Sequence, residues 1–475
     1  MIPKVNFQFF KSHILKLMFF ILLINIFLKL TFDGLNSYKH LHINIHQIIS
    51  IFLTCLFYWY FSSVLKNTLK INSYSISIMY FFSSYFLVDN FLVLFSKNIN
   101  NTFTFNLITL LWLFIIFKNI ENINIKIKLI FSFFIMKCFN FFYYELISEK
   151  LNYSDLNGDF MFQWFPTAKK IYELGYFFSI SNNIIDNQGL LSSYIQALLN
   201  RINFTYSEFE FVQTNSFILC FLTILIFIDL NIDIQNKYYL IGVYLLFVLN
   251  NDWVFFLFFN SLMIEGVVTF FVTVCLVNIK DNLQGKNFLN YYFFLCFGLL
   301  VLTKQFVSII SLLFILTLIF LYFKKNKIIF IALIPLIIDF TIKKLYNLNT
   351  SFITYDDNIE YLQIFKDLIL FNNLNYKNIS SIFNSLAVDK PLIMILFLFI
   401  FLNLLSIFKN KSYSISKNYL FYSCFINFFL VIVLYLTYWK NVETASAYRY
   451  IISFFNIYLI SIVFNSEKNE YYILS

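Results

Sequence analysis

Apolar residues dominate this chain in long runs that short polar segments interrupt. Runs of about 17–25 apolar residues recur from end to end, and each is long enough to cross about 30 Å of hydrocarbon as an α-helix. We therefore predict an all-α polytopic membrane protein with about 14 transmembrane helices and further helices in its outer-face loops. The predicted spans are residues 14–32, 46–65, 74–96, 103–117, 127–145, 210–230, 238–250, 264–278, 288–303, 306–323, 328–341, 391–408, 418–438 and 449–464.

The lysine residues give these spans a common orientation. If the N-terminus lies inside, lysines cluster in the inside loops, and the short outside loops hold only single lysines such as Lys39 and Lys97. The inside clusters are Lys66/Lys70, Lys118/Lys126, Lys237, Lys280/Lys286, Lys324/Lys325 and Lys409/Lys411/Lys417. This alternation of inside and outside loops, here called the register, predicts a multi-pass protein of the cell membrane with both termini cytoplasmic. It places segments 146–209, 342–390 and 439–448 outside together.

The register divides the chain into five segments. Residues 1–145 form an N-terminal bundle of about five spans, and residues 146–209 form an outer loop with interfacial helices and the predicted active site. Residues 210–341 form the central spans, residues 342–390 a second outer loop, and residues 391–475 the C-terminal spans. Outer segments that meet on one face can form a common site.

Composition excludes several classes of protein. The chain is 60% hydrophobic and only 12% charged, so no water-soluble domain of this length is expected. The net charge of +9 comes from lysines between apolar runs, and it predicts no nucleic-acid partner. The six cysteines fall inside apolar runs without metal-ligand spacing, and we interpret them as small apolar residues.

Four residue types are scarce, and their distribution is uneven. The chain of 475 residues has 8 Gly, 4 Pro, 6 Ala and 2 Arg. Seven of these 20 residues lie within positions 150–204: Gly158, Pro166, Ala168, Gly175, Gly189, Ala197 and Arg201. Three more, Ala445, Ala447 and Arg449, lie within 440–450. Loops generally hold glycine and proline, but that does not explain why both arginines of a lysine-rich chain lie here.

The outer loop 146–209 has helical character of its own. Apolar residues recur at a spacing of three and four, and the charged residues Lys169, Lys170 and Glu173 lie off that face. The apolar positions are Trp164, Ala168, Ile171 and Leu174 or Gly175. Asp159 is placed where the helix would start, and Gly175 is a plausible stop. A second helix fits Leu190–Leu199, and both are predicted to lie at the outer membrane interface.

The order of these residues resembles the GT-C glycosyltransferases, a family of polytopic enzymes that take a sugar from a polyprenyl-phosphate carrier. Three segments resemble the first large outer loop of that family: Gly158-Asp159-Phe160, Phe165 and Ala168-Lys169-Lys170-Ile171-Tyr172-Glu173-Leu174-Gly175. Asp186–Gln188 followed by Leu190–Leu198 is similar to the next stretch of that loop. Further counterparts are Phe259–Gly266, Thr303-Lys304-Gln305, Glu443 and Tyr448-Arg449-Tyr450. The chain departs from the family in having about five spans before this loop and no Lys-Pro-Pro.

The resemblance implies a glycosyltransferase that moves a sugar from a polyprenyl-phosphate donor to a lipid, glycan or protein acceptor in the cell envelope, among membrane lipids on the outer face. Its catalytic base would be Asp159, with Asp155 as the second candidate, because a hydroxyl acceptor must lose a proton. Substrate-binding residues would be Arg449, Lys304, Glu265, Lys169 and Glu443. A divalent cation is a possible cofactor that the sequence leaves unknown.

Each of these residues also has a simpler interpretation. Asp159 could only cap a helix, and Arg449 could only anchor the chain at the membrane interface. An arginine matches phosphate oxygens with a planar fork that lysine lacks, which favours phosphate contact in a chain that otherwise uses lysine. Arg201 is the weaker arginine candidate.

Two other functions are compatible with the pattern. A transporter or lipid-linked glycan flippase would place charges inside the bundle, and Asp89 and Lys137 lie within predicted spans, where they could pair. A glycan polymerase or ligase would also use arginines in outer loops. The near absence of glycine from the spans and the crowding of exceptional residues outside favour the enzyme.

Overall fold

The structure is a computed structural model, and it describes residues 7–32, 45–95, 101–142, 165–175, 190–203, 215–250, 265–285, 287–303, 305–322, 327–346 and 455–466, with residues 393–398 and scattered positions between 370 and 451. Every regular element in this part of the chain is helical. The α-helices are α1 Phe7–Phe32, α2 Ile45–Leu69, α3 Tyr74–Val93, α4 Asn101–Asn119, α5 Ile123–Phe142, α6 Phe165–Glu173, α7 Leu190–Asn203, α8 Asn215–Asp229, α9 Ile234–Asn250, α10 Glu265–Gln284, α11 Phe288–Gly298, α12 Gln305–Tyr322, α13 Ile334–Leu345 and α14 Phe455–Ser466. Short 3-10 helices cover Leu299–Leu302 and Lys327–Leu333.

Four of the described helices are long and apolar enough to cross a membrane. The apolar windows are Ile14–Thr31, Ile48–Leu69, Tyr74–Val93 and Thr102–Asn119. Shorter apolar helices at Ile218–Asp229, Gly266–Ile279, Phe288–Leu302 and Ser311–Phe320 coincide with predicted spans. These helices confirm the prediction of an all-helical protein with membrane-spanning helices. The full count of about 14 spans stays a prediction.

Helix positions agree with the apolar runs to within a few residues. Helix α3, predicted from residue 74, begins at Tyr74, because the Ser73 hydroxyl accepts a hydrogen bond from the Ile76 N–H at 3.1 Å. Helix α5 begins at Ile123 and ends at Phe142, whereas residues 127–145 were predicted. An apolar run fixes where the chain can be buried in lipid, but not which flanking residue ends the helix.

The chain forms two compact units. The first comprises Met1–Lys39, Leu230–Phe255 and Ile353–Ser475, and in it α1 packs against α9 and α14. Asn250 donates to the Leu22 carbonyl at 2.9 Å, and the rings of Phe247 and Phe455 stack 3.8 Å apart. Polar and aromatic contacts therefore hold helices that are distant in sequence.

The second unit comprises His40–Asp229 and Phe256–Phe352, and α3 is its centre. Of the apolar window Tyr74–Val93, 72% is buried, because α2, α4, α7, α8, α10, α11 and α13 all pack against α3. In Thr102–Asn119 only 22% is buried, and Phe114 is 63% exposed. Apolar surface of that kind is what a helix at the lipid boundary presents.

Hydrogen bonds in the second unit join helix ends that the lysine pattern assigns to the same side. The Ser50 hydroxyl donates to Asn140 at 2.7 Å, and Tyr346 donates to the Val93 carbonyl at 2.6 Å, both at predicted outer ends. At the predicted inner ends, Ser73 donates to Asp229 at 2.8 Å. These contacts show which helix ends lie together, and the assignment of one side to the outside stays a prediction.

Candidate functional site

Helix α6 lies in the segment that the scarce residues mark, and several of them shape it. Pro166 occupies the first turn, where its missing N–H does no harm. Ala168 is fully buried, as the predicted apolar face requires, whereas Leu174 is 52% exposed. The helix ends at Glu173, and Gly175 follows with φ 101°, a left-handed conformation that favours glycine. The predicted stop at Gly175 is thus confirmed.

Helix α7 is buried, which differs from the interfacial position that its amphipathic pattern predicted. All its described side chains are buried except Arg201, which is half-buried. It packs against α3, α5, α6, α8, α10 and the 3-10 helix Leu299–Leu302, and Ser192 donates to the Thr303 carbonyl at 2.9 Å. An amphipathic pattern shows which residues share a face, but not whether the polar face meets water or protein.

A buried acid, phenol and guanidinium meet where α7 contacts α3. The Tyr194 hydroxyl donates to the Asp89 carboxylate, and the two residues are 5% and 4% exposed. Arg201 lies close enough to interact electrostatically with both. A carboxylate removed from water needs such partners, since an isolated buried charge is strongly destabilising.

Arg201 also binds the end of α6. Its Nη2 donates to the carbonyl oxygens of Tyr172 at 2.5 Å and Ile171 at 3.4 Å. The guanidinium carbon lies 5.5 Å from the centroid of the Tyr172 ring and 5.9 Å from that of Phe105. Carbonyls in the last turn of a helix lack partners within the helix and carry partial negative charge, so a cation there is stabilising. One arginine therefore joins α6, α7 and the Asp89 end of α3.

The protonation states in this cluster follow from burial. Burial, with the neighbouring Asp89 adding to it, raises the pKa of Tyr194 well above its ordinary value. Burial lowers the pKa of Arg201, while Tyr194 and Asp89 act in the opposite direction. At neutral pH the phenol is therefore a donor, and the guanidinium keeps its charge.

A small pocket opens beside this cluster. Its lining residues are Phe105, Ile171, Tyr194, Ala197, Leu198 and Arg201. It has room for about one water molecule, so it is too small for a sugar ring. We interpret the cluster as a device that fixes α6, because its polar groups are directed at one another and at the α6 carbonyls.

Among the residues predicted from sequence to form the site, two belong to the described helices. Lys169 lies half-buried on α6, and Glu265 is the first residue of α10. Helix α7 contacts both of the helices that carry these two residues, α6 and α10. Lys304 directly follows Thr303, whose carbonyl accepts from α7. Lys304 itself lies outside the described residues, as do Asp155, Asp159, Glu443 and Arg449.

Sequence reasoning ranked Arg201 low and did not link it to Asp89 or Tyr194. Tyr194 and Asp89 are 105 positions apart, and Arg201 contacts a carbonyl 29 positions earlier, so no local spacing could show the cluster. The signal that did exist was rarity, because Arg201 is one of only 2 arginines in the chain. Lys137, the other charge predicted within a span, lies with its ammonium 4.9 Å from the Phe133 ring centroid.

A metal centre needs several ligands of suitable type in one place. Within the described ranges, no group of three or more His, Cys, Asp or Glu residues comes together. Asp155 and Asp159, the acidic residues that a divalent cation would use in the outer loop, lie outside those ranges.

Comparison of the chain with protein-family models, with curated proteins and with solved structures found no match.

Proposed function

We propose that this chain is a membrane glycosyltransferase of the GT-C kind. It moves a sugar from a polyprenyl-phosphate donor to a lipid, glycan or protein acceptor on the outer face of the cytoplasmic membrane. The observation that carries this proposal is the buried loop helix α7, which contacts α6, α10 and the residue before Lys304. A loop between spans that folds into a packed module suits an active site, since catalytic groups need rigid support.

The proposed chemistry divides the site by charge. Asp159, or else Asp155, removes the acceptor proton, a step that contributes typically ~10²–10⁴-fold in rate. Lys304 and Arg449 bind the departing lipid phosphate, where positive charge stabilises the leaving group. Lys169, Glu265 and Glu443 complete the substrate-binding set and orient the acceptor or the lysines.

Arg201 supports this division as a positioning residue. It holds the last turn of α6, the helix that carries Lys169 and follows Asp159 in sequence. A catalytic carboxylate misplaced by about 1 Å loses much of its rate advantage. Arginine suits this position because a planar fork can donate to a carbonyl while the guanidinium lies beside an aromatic ring.

The finer topology belongs to the same proposal. We infer about 14 spans, cytoplasmic termini, and outer positions for segments 146–209, 342–390 and 439–448. Two features support it: the alternation of lysines, and the contacts between helix ends on one predicted side.

A flippase or transporter is the second candidate, because a charged pair inside a helical bundle is expected of one. Asp89 is 4% exposed, and Arg201 lies close enough to interact with it electrostatically. A glycan polymerase or ligase remains the third candidate, since it too uses arginines in outer loops.

The discriminating experiment is sugar transfer by purified protein in detergent, with a panel of polyprenyl-phosphate sugars as donors and a lipid extract of the host membrane as acceptor. We expect Asp159→Asn to abolish transfer while the protein remains folded, because asparagine caps a helix nearly as well but cannot accept the proton. Asp155→Asn tests the second candidate, and loss of transfer in Asp155→Asn but not in Asp159→Asn would assign the base to Asp155. Translocation of a lipid-linked sugar in proteoliposomes without any transfer would favour the flippase.

A further inference from the structure

Helix α7 carries a row of neutral polar side chains that the proposed chemistry has not used. Ser193, Gln196, Asn200 and Asn203 are spaced by three, four and three residues, so they share one face of the helix. Each is at most 1% exposed. A wholly buried polar face is unusual, because amides and hydroxyls are destabilising away from water unless they are hydrogen-bonded.

The two ends of this row have no hydrogen-bond partner among the described residues. The Ser193 hydroxyl and both amide atoms of Asn203 are buried and make no hydrogen bond within that part of the chain. By contrast, the adjacent Ser192 donates to the Thr303 carbonyl at 2.9 Å. Native proteins leave few buried polar groups unpaired, and each one calls for a reason such as binding.

A neighbouring helix repeats the pattern. Thr269 and Thr273 of α10 are fully buried, and their hydroxyls also have no partner in the described ranges. Other helical threonines here bond to the carbonyl four residues earlier, as Thr54 does at 2.8 Å and Thr223 at 3.0 Å. Helix α10 packs against α7 and begins at Glu265. Two adjacent helices therefore hold unpaired, uncharged hydrogen-bonding groups.

We propose that the neutral face of α7, with Thr269 and Thr273 of α10, binds the sugar ring of the substrate. This inference rests on the proposed function and names the part of its site that holds the sugar. Hydroxyls and carboxamides both donate and accept, which is what sugar hydroxyls require. An uncharged face does not attract phosphate electrostatically, so we assign binding of the lipid phosphate to the cationic residues.

The first test compares two adjacent serines by thermal unfolding in detergent. Ser192→Ala removes a hydrogen bond and should lower the Tm of the ligand-free protein by about 2 °C. Ser193→Ala and Asn203→Leu remove unpaired polar groups and should leave the Tm unchanged or raise it, as substitutions at binding residues often do. A fall in Tm for Ser193→Ala and Asn203→Leu as large as that for Ser192→Ala would mean that these groups are paired, and would overturn the inference.

The second test measures ligand-induced stabilisation with three probes: undecaprenyl phosphate, a panel of undecaprenyl-phosphate hexoses and pentoses, and soluble tetrasaccharides. We expect a sugar-bearing probe to stabilise the wild type more than undecaprenyl phosphate does. The double variant Ser193→Ala/Asn203→Leu should bind that probe at least about tenfold more weakly and bind undecaprenyl phosphate unchanged. Stabilisation by a lipid-linked sugar would assign the face to the donor, and stabilisation by a tetrasaccharide would assign it to the acceptor.

The failures are distinguishable. If a sugar-bearing probe binds wild type and double variant equally, the sugar-binding role of α7 is wrong and the glycosyltransferase proposal stands. If no sugar-bearing probe stabilises the wild type beyond undecaprenyl phosphate, both proposals fall together.

Discussion

Helix α3 has a carboxylate near each end, and the two are used in different ways. At its N-terminus, Asp229 of α8 accepts hydrogen bonds from the backbone N–H groups of Tyr74 and Ser75 at 2.9 and 2.8 Å. The hydroxyls of Ser73 and Ser75 also donate to it, at 2.8 and 2.6 Å. A carboxylate at a helix N-terminus satisfies free N–H groups and interacts favourably with the helix dipole.

The other end of α3, about 22 Å along the axis, differs in the origin of its partners. Asp89 accepts from Tyr194 of the loop helix α7, and Thr104 and Arg201 lie nearby. None of these groups belongs to the backbone of α3. Asp229 thus fixes the start of a span, whereas Asp89 fixes a loop module to a span. The first role is structural in any membrane protein, and the second is needed only where a loop must be held rigidly.

The largest expected effect is an all-or-none difference in thiol labelling between cysteines placed on the predicted outer side and on the predicted inner side, where the two ends of α3 lie. Leu174→Cys, 52% exposed beside α6, should react with a membrane-impermeant maleimide in intact cells. Glu121→Cys, exposed between α4 and α5, should react only after the cells are permeabilised. The parent chain is the background control, because its described cysteines are buried or half-buried. Labelling of both variants in intact cells would contradict the predicted topology.

The next largest effect is on stability at the Asp229 end. Asp229→Ala leaves two backbone N–H groups and two hydroxyls without their acceptor, so it should cost about 3 kcal/mol or more. Asp229→Asn keeps one acceptor oxygen and should cost less. Thermal unfolding of the purified protein measures both, and the proposed transfer activity of the folded fraction should be unchanged. A loss of activity without loss of stability would assign Asp229 a functional role.

A smaller stability effect is expected at the Asp89 end. Tyr194→Phe removes the buried hydrogen bond between these residues and Asp89→Asn weakens it, each at a cost of about 1–3 kcal/mol. Because both act on the same contact, the double variant should lose less than the sum of the two single losses. Transfer activity should fall in all three variants, in contrast to Asp229→Asn. Strict additivity would show that the phenol and the carboxylate do not interact in the membrane.

Helix positions were predictable from this sequence because lipid imposes long apolar runs, and α3, α8 and α11 lie where those runs are. The buried position of α7 was not predictable, since its neighbours α3 and α10 are remote in sequence and its polar face gave the pattern of a surface helix. The Asp89 cluster depends on residues 105 positions apart, which no spacing rule reaches. Composition was more informative than spacing here, because the scarcity of glycine and arginine singled out Gly175 and Arg201 from the sequence alone.

Close backbone contact explains another scarce residue. A Cβ atom at Gly298 would collide with the Ala332 carbonyl oxygen, so α11 can pack this closely against the 3-10 helix Lys327–Leu333 only with glycine there. Scarce residues thus persist in this chain where a specific shape or donor geometry is required, and they do so in scaffold and loop alike. The scarcity of a residue type indicates only that its position is constrained. The contacts of that residue show whether the constraint is structural or functional.

The smallest expected effect is that of Arg201→Lys, and it tests whether geometry or charge holds the loop module. Lysine keeps the charge near Asp89 but cannot stack on the Tyr172 ring while donating to the Tyr172 carbonyl, so we expect a cost of about 1 kcal/mol in global stability. The effect should be concentrated in α6, where backbone amides of residues 167–175 should exchange hydrogen faster while those of α3 keep their protection. Lys118→Arg, at an exposed position on α4, is the control and should change neither. Transfer activity should fall with the protection of α6. Unchanged exchange in α6 would show that charge alone suffices and would remove Arg201 from the positioning role.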